Sequence, residues 1–236
     1  MNLDELPVEK GFRIRGASMT RLETFADAAF AFAVTLLVIS VDDVPSSYEE
    51  FQTALKSVPV FFACLAQMIM FWIGHHKWSR LYGLDDLVSL WLTVFLIAGI
   101  LVLVYPLRVV MSLGFGMVTG GWLPVAFEVT SAQVAAIFIF YGLAFASLSG
   151  IILGLYAYAW RRRDALQLNE LERFDTMQNI TLWAAVSGIG LVSSLIAILN
   201  PTDEYGLAGW FYWSLFVAFF WVNVRARKGR RALSPI

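Results

Sequence analysis

The chain has 236 residues, 59% of them hydrophobic and 15% charged, with a formal net charge of −1. Soluble domains carry about 45–50% apolar residues, so this composition, with a mean hydropathy of +0.69, excludes a soluble globule and describes a polytopic membrane protein. Cys64 is the single cysteine, which excludes an intrachain disulfide and a cysteine metal or redox pair; lying in an apolar run, it reads as a small packing residue.

Residues 1–19 form a polar arm with Asp4, Glu5, Glu9, Lys10, Arg13 and Arg15. It lacks the apolar core of a cleavable signal peptide, so the first span is expected to serve as the insertion signal. That span covers Arg21–Val41 and is followed by an acidic loop with Asp42, Asp43, Pro45, Glu49 and Glu50. A second span is expected over about Phe51–His75, after which His76, Lys77 and Arg80 leave the membrane. Asp85 and Asp86 suit the N-terminus of a third span over Leu87–Leu107, which Pro106 ends or kinks. Gly114, Gly116, Gly120, Gly121 and Pro124 form a glycine-rich connection. A fourth span covers Ala132–Trp160, with Gly142, Gly150 and Gly154 suited to close helix packing.

The charged stretch Arg161–Asp175 reads as a surface amphipathic connection. Fifth and sixth spans cover Met177–Leu199 and Tyr205–Val224, and residues 225–236 form a basic tail. Residues 20–224 thus make one six-helix domain, with no internal repeat. Of the 17 Lys and Arg residues, all but Lys56 and Arg108 fall on one side of this arrangement. The positive-inside rule then places both termini in the cytoplasm. The opposite loops hold Glu128, Asp203 and Glu204 besides the first acidic loop, so an outer mouth would be negative and would concentrate cations. Beside a membrane helix the basic tail suits orientation or anionic lipid, not nucleic acid.

From Phe25 to Val41 the first span carries one acid, Asp27, which costs ~2.5–3.5 kcal/mol in hydrocarbon and therefore calls for a partner or a wet surface. At ~100° per residue, Phe25, Ala28, Phe32, Thr35, Leu36 and Ile39 share one stripe, with Asp27, Phe30, Val34 and Val38 roughly opposite. The stripe can face lipid, a neighbouring helix or a pore axis.

These residues resemble a known family. Arg21, Phe25 and Asp27, followed by Phe30-Ala31 and Thr35-Leu36-Leu37, are similar to the first-helix signature of the transmembrane protein 175 potassium channels, with Ala26 where the family has Ser. Phe71-Trp72 with His75-His76, and Tyr105-Pro106, resemble the ends of that family's second and third helices. The resemblance implies an all-α membrane protein, a homotetramer whose first helices line the pore, with apolar residues at Phe32, Leu36 and Ile39 forming gate and filter. Thr35 lies between those rings. It also implies a network fixing the first helix, from Arg21, Phe25 and Asp27 to Trp72, His75 and His76. Phe32 is bulkier than the family's usual aliphatic, and Thr93 stands where the family often has Asn.

The function that follows is a potassium channel of the cell membrane, passing potassium through an apolar constriction that gates by dewetting. Two other readings remain: a secondary or proton-coupled carrier with Asp27 as coupling site, and a non-conducting scaffold. Adjacent histidines point ~100° apart and no Cys or carboxylate completes a zinc set, so no metal is expected. No cofactor is implied. The sequence has no G-x-S-x-G, P-loop or H-E-x-x-H motif, so an enzyme is not expected, and no T-V-G-Y-G filter.

Overall fold

The computed structural model describes residues 5–39, 45–125, 127, 129–202 and 206–233. A two-stranded antiparallel hairpin, β1 (Val8–Glu9) and β2 (Phe12–Arg13), precedes the helices α1 (Arg21–Ile39), α2 (Tyr48–Lys56), α3 (Val58–Tyr82), α4 (Leu87–Val118), α5 (Ser131–Arg161) and α6 (Glu170–Leu199). A short α7 (Leu207–Trp210) passes through one 3-10 turn into α8 (Ser214–Leu233). Among the described residues six helical spans are long and apolar enough to cross a membrane: α1, α2 with α3, α4, α5, α6, and α7 with α8.

α3 stands in the middle. On one side it packs on α1 and α4, and on the other it meets α5. Its aromatic and polar groups are buried on both sides. Trp78 Nε1 donates to the Leu155 carbonyl at 2.8 Å, and Tyr156 and Tyr141 on α5 donate to the Gly74 carbonyl and to Gln67 Oε1. In a medium without water every such group needs an internal partner, which explains why the large polar aromatics lie at helix crossings. α5 and α6 approach most closely at two glycines. A Cβ on Gly142 would stand 2.7 Å from the Gly190 carbonyl, and one on Gly190 would stand 2.8 Å from the Gly142 carbonyl. Gly150 and Gly154, expected from the sequence to pack closely too, meet neighbours only at ordinary contact distance.

Several boundaries differ from those the sequence predicts. The second span is two helices, because Pro59 in the first turn of α3 lacks an N–H and Ser57 caps the break. α3 then continues seven residues beyond His75 to Tyr82, and the left-handed conformation of Gly83 (φ 57°) ends it. His75, His76, Lys77 and Arg80 therefore lie within α3 rather than beyond its end. Lys77 Nζ reaches Asn179 Oδ1 at 3.0 Å, and Arg80 Nη1 reaches the Gly16 carbonyl at 2.7 Å, so both cations are held by other elements.

α4 runs unbroken through Pro106 to Val118. In a membrane bundle neighbouring helices tolerate the carbonyl that proline leaves free. Gly114 and Gly116 belong to this helix, and the chain turns only at Gly120 and Gly121, both with positive φ. The charged connection is not a surface amphipathic helix, since α6 begins at Glu170 behind an Asn169–Glu172 capping box. α8 likewise carries Arg225–Arg231 without a break at 224. Val41, Asp42, Asp43, Glu128, Asp203 and Glu204 lie outside the described residues.

The amino-terminal arm is also more ordered than its polarity implies. Phe12 and Ile14 are buried, and Lys10-Gly11, both with positive φ, form the two-residue hairpin turn. Arg13 places its backbone N–H, Nε and Nη2 on Glu172, and Arg15 Nη2 adds a bond at 2.9 Å to the same fully buried carboxylate. Next, Gly16 N donates to the Arg80 carbonyl at 3.0 Å, strapping the arm over the end of α3. Arg230 on α8 pairs with Asp175 and reaches the Lys10 carbonyl. Arm, α3, α6 and α8 thus form one charged clasp, and α1 starts five residues after the strap.

Candidate functional site

α1 begins where Thr20 Oγ1 accepts from Glu23 N at 3.1 Å. Glu23, Ala26, Phe30, Ala33 and Leu37 recur at three- and four-residue steps and are buried against α3 and α4. The small alanines let the backbones come close. On the other side Phe25 (57% exposed), Phe32 (55%) and Ile39 (70%) stand open within one subunit, with Ala28, Ala31 and Thr35 between them. Leu36 sits at the margin, half-buried and packed against the core. The opposite face is sheltered only in part: Phe30 is buried and Val34 half-buried, but Val38, near the helix end, is exposed.

Thr35 Oγ1 donates to the Ala31 carbonyl at 3.1 Å. Its proton is thereby committed to its own helix, and what the hydroxyl can still offer an ion is lone pairs.

Asp27 is half-buried and turned from the open face. Trp72 Nε1 donates to Asp27 Oδ1 at 2.8 Å. The Trp72 ring stacks on His76 with centroids 5.0 Å apart, and His76 Nδ1 lies 3.5 Å from Glu23 Oε1. That distance is an ion-pair contact rather than a hydrogen bond, and the pair is charged only with the imidazole protonated. His75 Nε2 faces Thr93 Oγ1 at 3.1 Å, both buried. The network brought together is therefore Glu23, Asp27, Trp72, His75, His76 and Thr93. Among the partners the sequence proposes for Asp27, Trp72 holds the carboxylate, while His75 bonds Thr93 and His76 stacks on Trp72 and faces Glu23. Arg21 and Phe25 stay outside: both are exposed, and Arg21 has no bonded partner among the described residues. They lie four residues apart on the same side as Phe32, which is why they cannot also reach α3.

Glu23 is the residue sequence reasoning missed. It is 2% exposed, and one of its oxygens is buried without a protein donor. The signal was present in its place on the Ala26–Phe30–Ala33 stripe, one turn before Asp27. Among the described residues no three His, Cys, Asp or Glu side chains gather closely enough to hold a metal ion, and Cys64 is buried as a free thiol.

Comparison with known proteins bears on this helix directly. Residues 21–104, from the first residue of α1 into α4, match the family model described as "Endosomal/lysosomal potassium channel TMEM175". A "Potassium channel" of Marivirga tractuosa is 30% identical over 234 residues, covering 94% of each chain. This chain belongs to the TMEM175 family. A crystal structure of a variant of the potassium channel MtTMEM175, in complex with a Nanobody-MBP fusion protein, superimposes with a TM-score of 0.77 at 28% identity, over 96% of this chain and all of that one. The TMEM175 likeness thus extends beyond the residues of the family model and through α5–α8. The six-span, multi-pass membrane architecture is the TMEM175 fold.

Proposed function

We propose that the chain is one subunit of a homotetrameric potassium channel, in which four copies of α1 face one another and enclose the conduction path. The observation that carries this reading is the division of α1: both of its carboxylates, Glu23 and Asp27, lie off the open face, Asp27 bound by Trp72, while Phe32, Thr35 and Ile39 are left open. Rings of Phe32 and Ile39, with Leu36 at their edge, form an apolar constriction one to two turns long. Such a constriction closes by expelling water, and an ion passes when the side chains swing aside. The Thr35 oxygens supply polar contact between the rings. The names carried by both relatives, as potassium channels, favour potassium as the ion.

In this reading residues 1–19 are a cytoplasmic arm, 20–224 the channel domain and 225–236 a cytoplasmic tail, with the protein in the cell membrane. Asp27, Trp72, His75 and His76 orient α1, and neither metal nor cofactor takes part. The carrier reading is less well supported, since it needs Asp27 in a cavity reachable by substrate, and the carboxylate is instead hydrogen-bonded between packed helices.

The test is potassium flux from liposomes loaded with purified protein. Phe32→Ala is expected to raise the flux several-fold by widening the narrowest ring. Ile39→Cys is expected to cross-link subunits under oxidation, because the side chains meet across the axis. Unchanged flux in the alanine variant, together with no cross-linking, would remove α1 from the pore.

A further inference from the structure

One opening in the surface is unrelated to α1. Between the start of α4 and the end of α5 lies a groove of about 290 Å3 lined by Val88, Leu92, Gly154, Ala157, Tyr158 and Arg161. Its walls are apolar except at one end. Gly154 and Ala157 make the floor low, and a Cβ on Gly154 would approach nothing nearer than Leu92 Cδ2 at 3.8 Å, so the gap is real space rather than a tight helix crossing. α4 starts and α5 ends at this level, after the cap residue Asp86 and before the run Arg161-Arg162-Arg163. The groove therefore runs from the membrane boundary into the hydrocarbon layer, on the side where the positive charge of the chain is concentrated.

The charged end is specific. Asp86 is fully engaged, accepting from Ser89 N and Oγ at 3.0 and 2.9 Å and from the Tyr158 hydroxyl. Arg163 is held over the Trp160 ring and by the Trp160 carbonyl. Arg161 is exposed and makes no hydrogen bond or ion pair among the described residues. A planar guanidinium with free donors at headgroup depth is suited to bidentate binding of a phosphate.

We propose that this groove is a phospholipid site: the phosphate of an acidic glycerophospholipid sits on Arg161, and an acyl chain lies along Val88, Leu92, Gly154 and Ala157. Charge selects the acidic class. A zwitterionic lipid carries the same phosphate with an ammonium beside it, and the three consecutive arginines repel that ammonium. The apolar walls select a lipid over a free anion, because a phosphate alone leaves them empty.

Native mass spectrometry of the purified protein in detergent tests this, with dioleoyl phosphatidylglycerol and dioleoyl phosphatidylcholine titrated separately and inorganic phosphate added as competitor. The expected result is one phosphatidylglycerol per subunit bound in preference to phosphatidylcholine and not displaced by inorganic phosphate. Arg161→Gln should weaken that binding about five-fold, the effect of one interfacial cation. Gly154→Leu, whose added Cβ meets only Leu92 Cδ2 at 3.8 Å and whose side chain occupies the groove, should remove it while leaving the subunit stoichiometry unchanged. Equal binding of the two lipids, or unchanged phosphatidylglycerol binding in either variant, overturns the proposal. Displacement by inorganic phosphate would mean a bare anion site, and a change of stoichiometry in Gly154→Leu would mean a protein contact; either also overturns it. Arg161→Gln alters an exposed side chain and carries the test alone if the leucine variant does not fold.

Discussion

α1 and the α5–α6 pair solve the same problem, that of holding an apolar helix in a bilayer, in opposite ways. α5 and α6 cross at Gly142 and Gly190, and hydroxyls stitch the crossing: Ser187 Oγ donates to the Ala146 carbonyl at 2.9 Å and Ser194 Oγ to the Ile139 carbonyl at 3.1 Å. Lipid offers no hydrophobic drive for helices to associate, so close backbone approach and interhelical hydrogen bonds supply the stability. α1 has an interhelical hydrogen bond at its second turn, from Trp72 to Asp27, and the strap of the arm just before its start. Along its length one face is buried against α3 and α4 and the other is open. The scaffold pair is thereby enclosed by close helix crossing, and the helix assigned to conduction is packed on one face only.

Four measurements can break or sharpen that contrast. The largest loss of stability is expected for Glu172→Ala, which takes from the buried Arg15 the carboxylate it pairs with. Removing one member of such a pair costs about 3–5 kcal/mol, and unfolding in mixed micelles should show it. A variant as stable as the parent would mean the clasp carries no weight. Gly142→Val should cost about 1–3 kcal/mol by overpacking against the Gly190 carbonyl, whereas Gly188→Val, with nothing within 4 Å of the added carbon, should not. Equal effects at the two glycines would remove the close crossing as the source of stability.

For α1, Asp27→Leu leaves the Trp72 N–H unpaired and should cost about 1–3 kcal/mol, while Asp27→Asn retains an oxygen acceptor and should cost less. The reverse ranking would assign the carboxylate's charge, not its hydrogen bond, the main part. The smallest change in stability belongs to Phe32→Ala, within about 0.5 kcal/mol as for an exposed position, even though the same variant is expected to show the largest change in flux. A Phe32→Ala protein that unfolds easily would place that ring in the packing of its own subunit.

The apolar runs and the two-sided pattern of α1 were legible in the residues, because hydropathy and the 3.6-residue period are properties of neighbouring positions. The open placement of Phe32 and Ile39 and the inward turn of Asp27 follow from that period. The helix ends were misjudged wherever a charge looked like an exit from the membrane. Lys77 and Arg80 lie inside α3, their charges met by Asn179 on α6 and by the Gly16 and Ala17 carbonyls of the arm. Polarity was also a poor guide to the arm itself, whose two buried apolar residues, Phe12 and Ile14, are too few to register against its charges. Glu23 went unnoticed because an acid beside the boundary looks like a solvated first-turn residue until its neighbours are known.

By itself the amino-acid sequence determined that this chain lives in a membrane, where its apolar helices run and which stripe of the first one carries Asp27. The tertiary structure decided which partner each buried polar group takes: Trp72, 45 residues away, for Asp27, and Glu172, 159 residues away, for Arg13. The reason is physical. Burial of apolar surface is non-directional and summed over neighbours, so it is written locally. A hydrogen bond inside a bilayer needs one donor and one acceptor at ~2.9 Å, and only the folded chain brings that pair together.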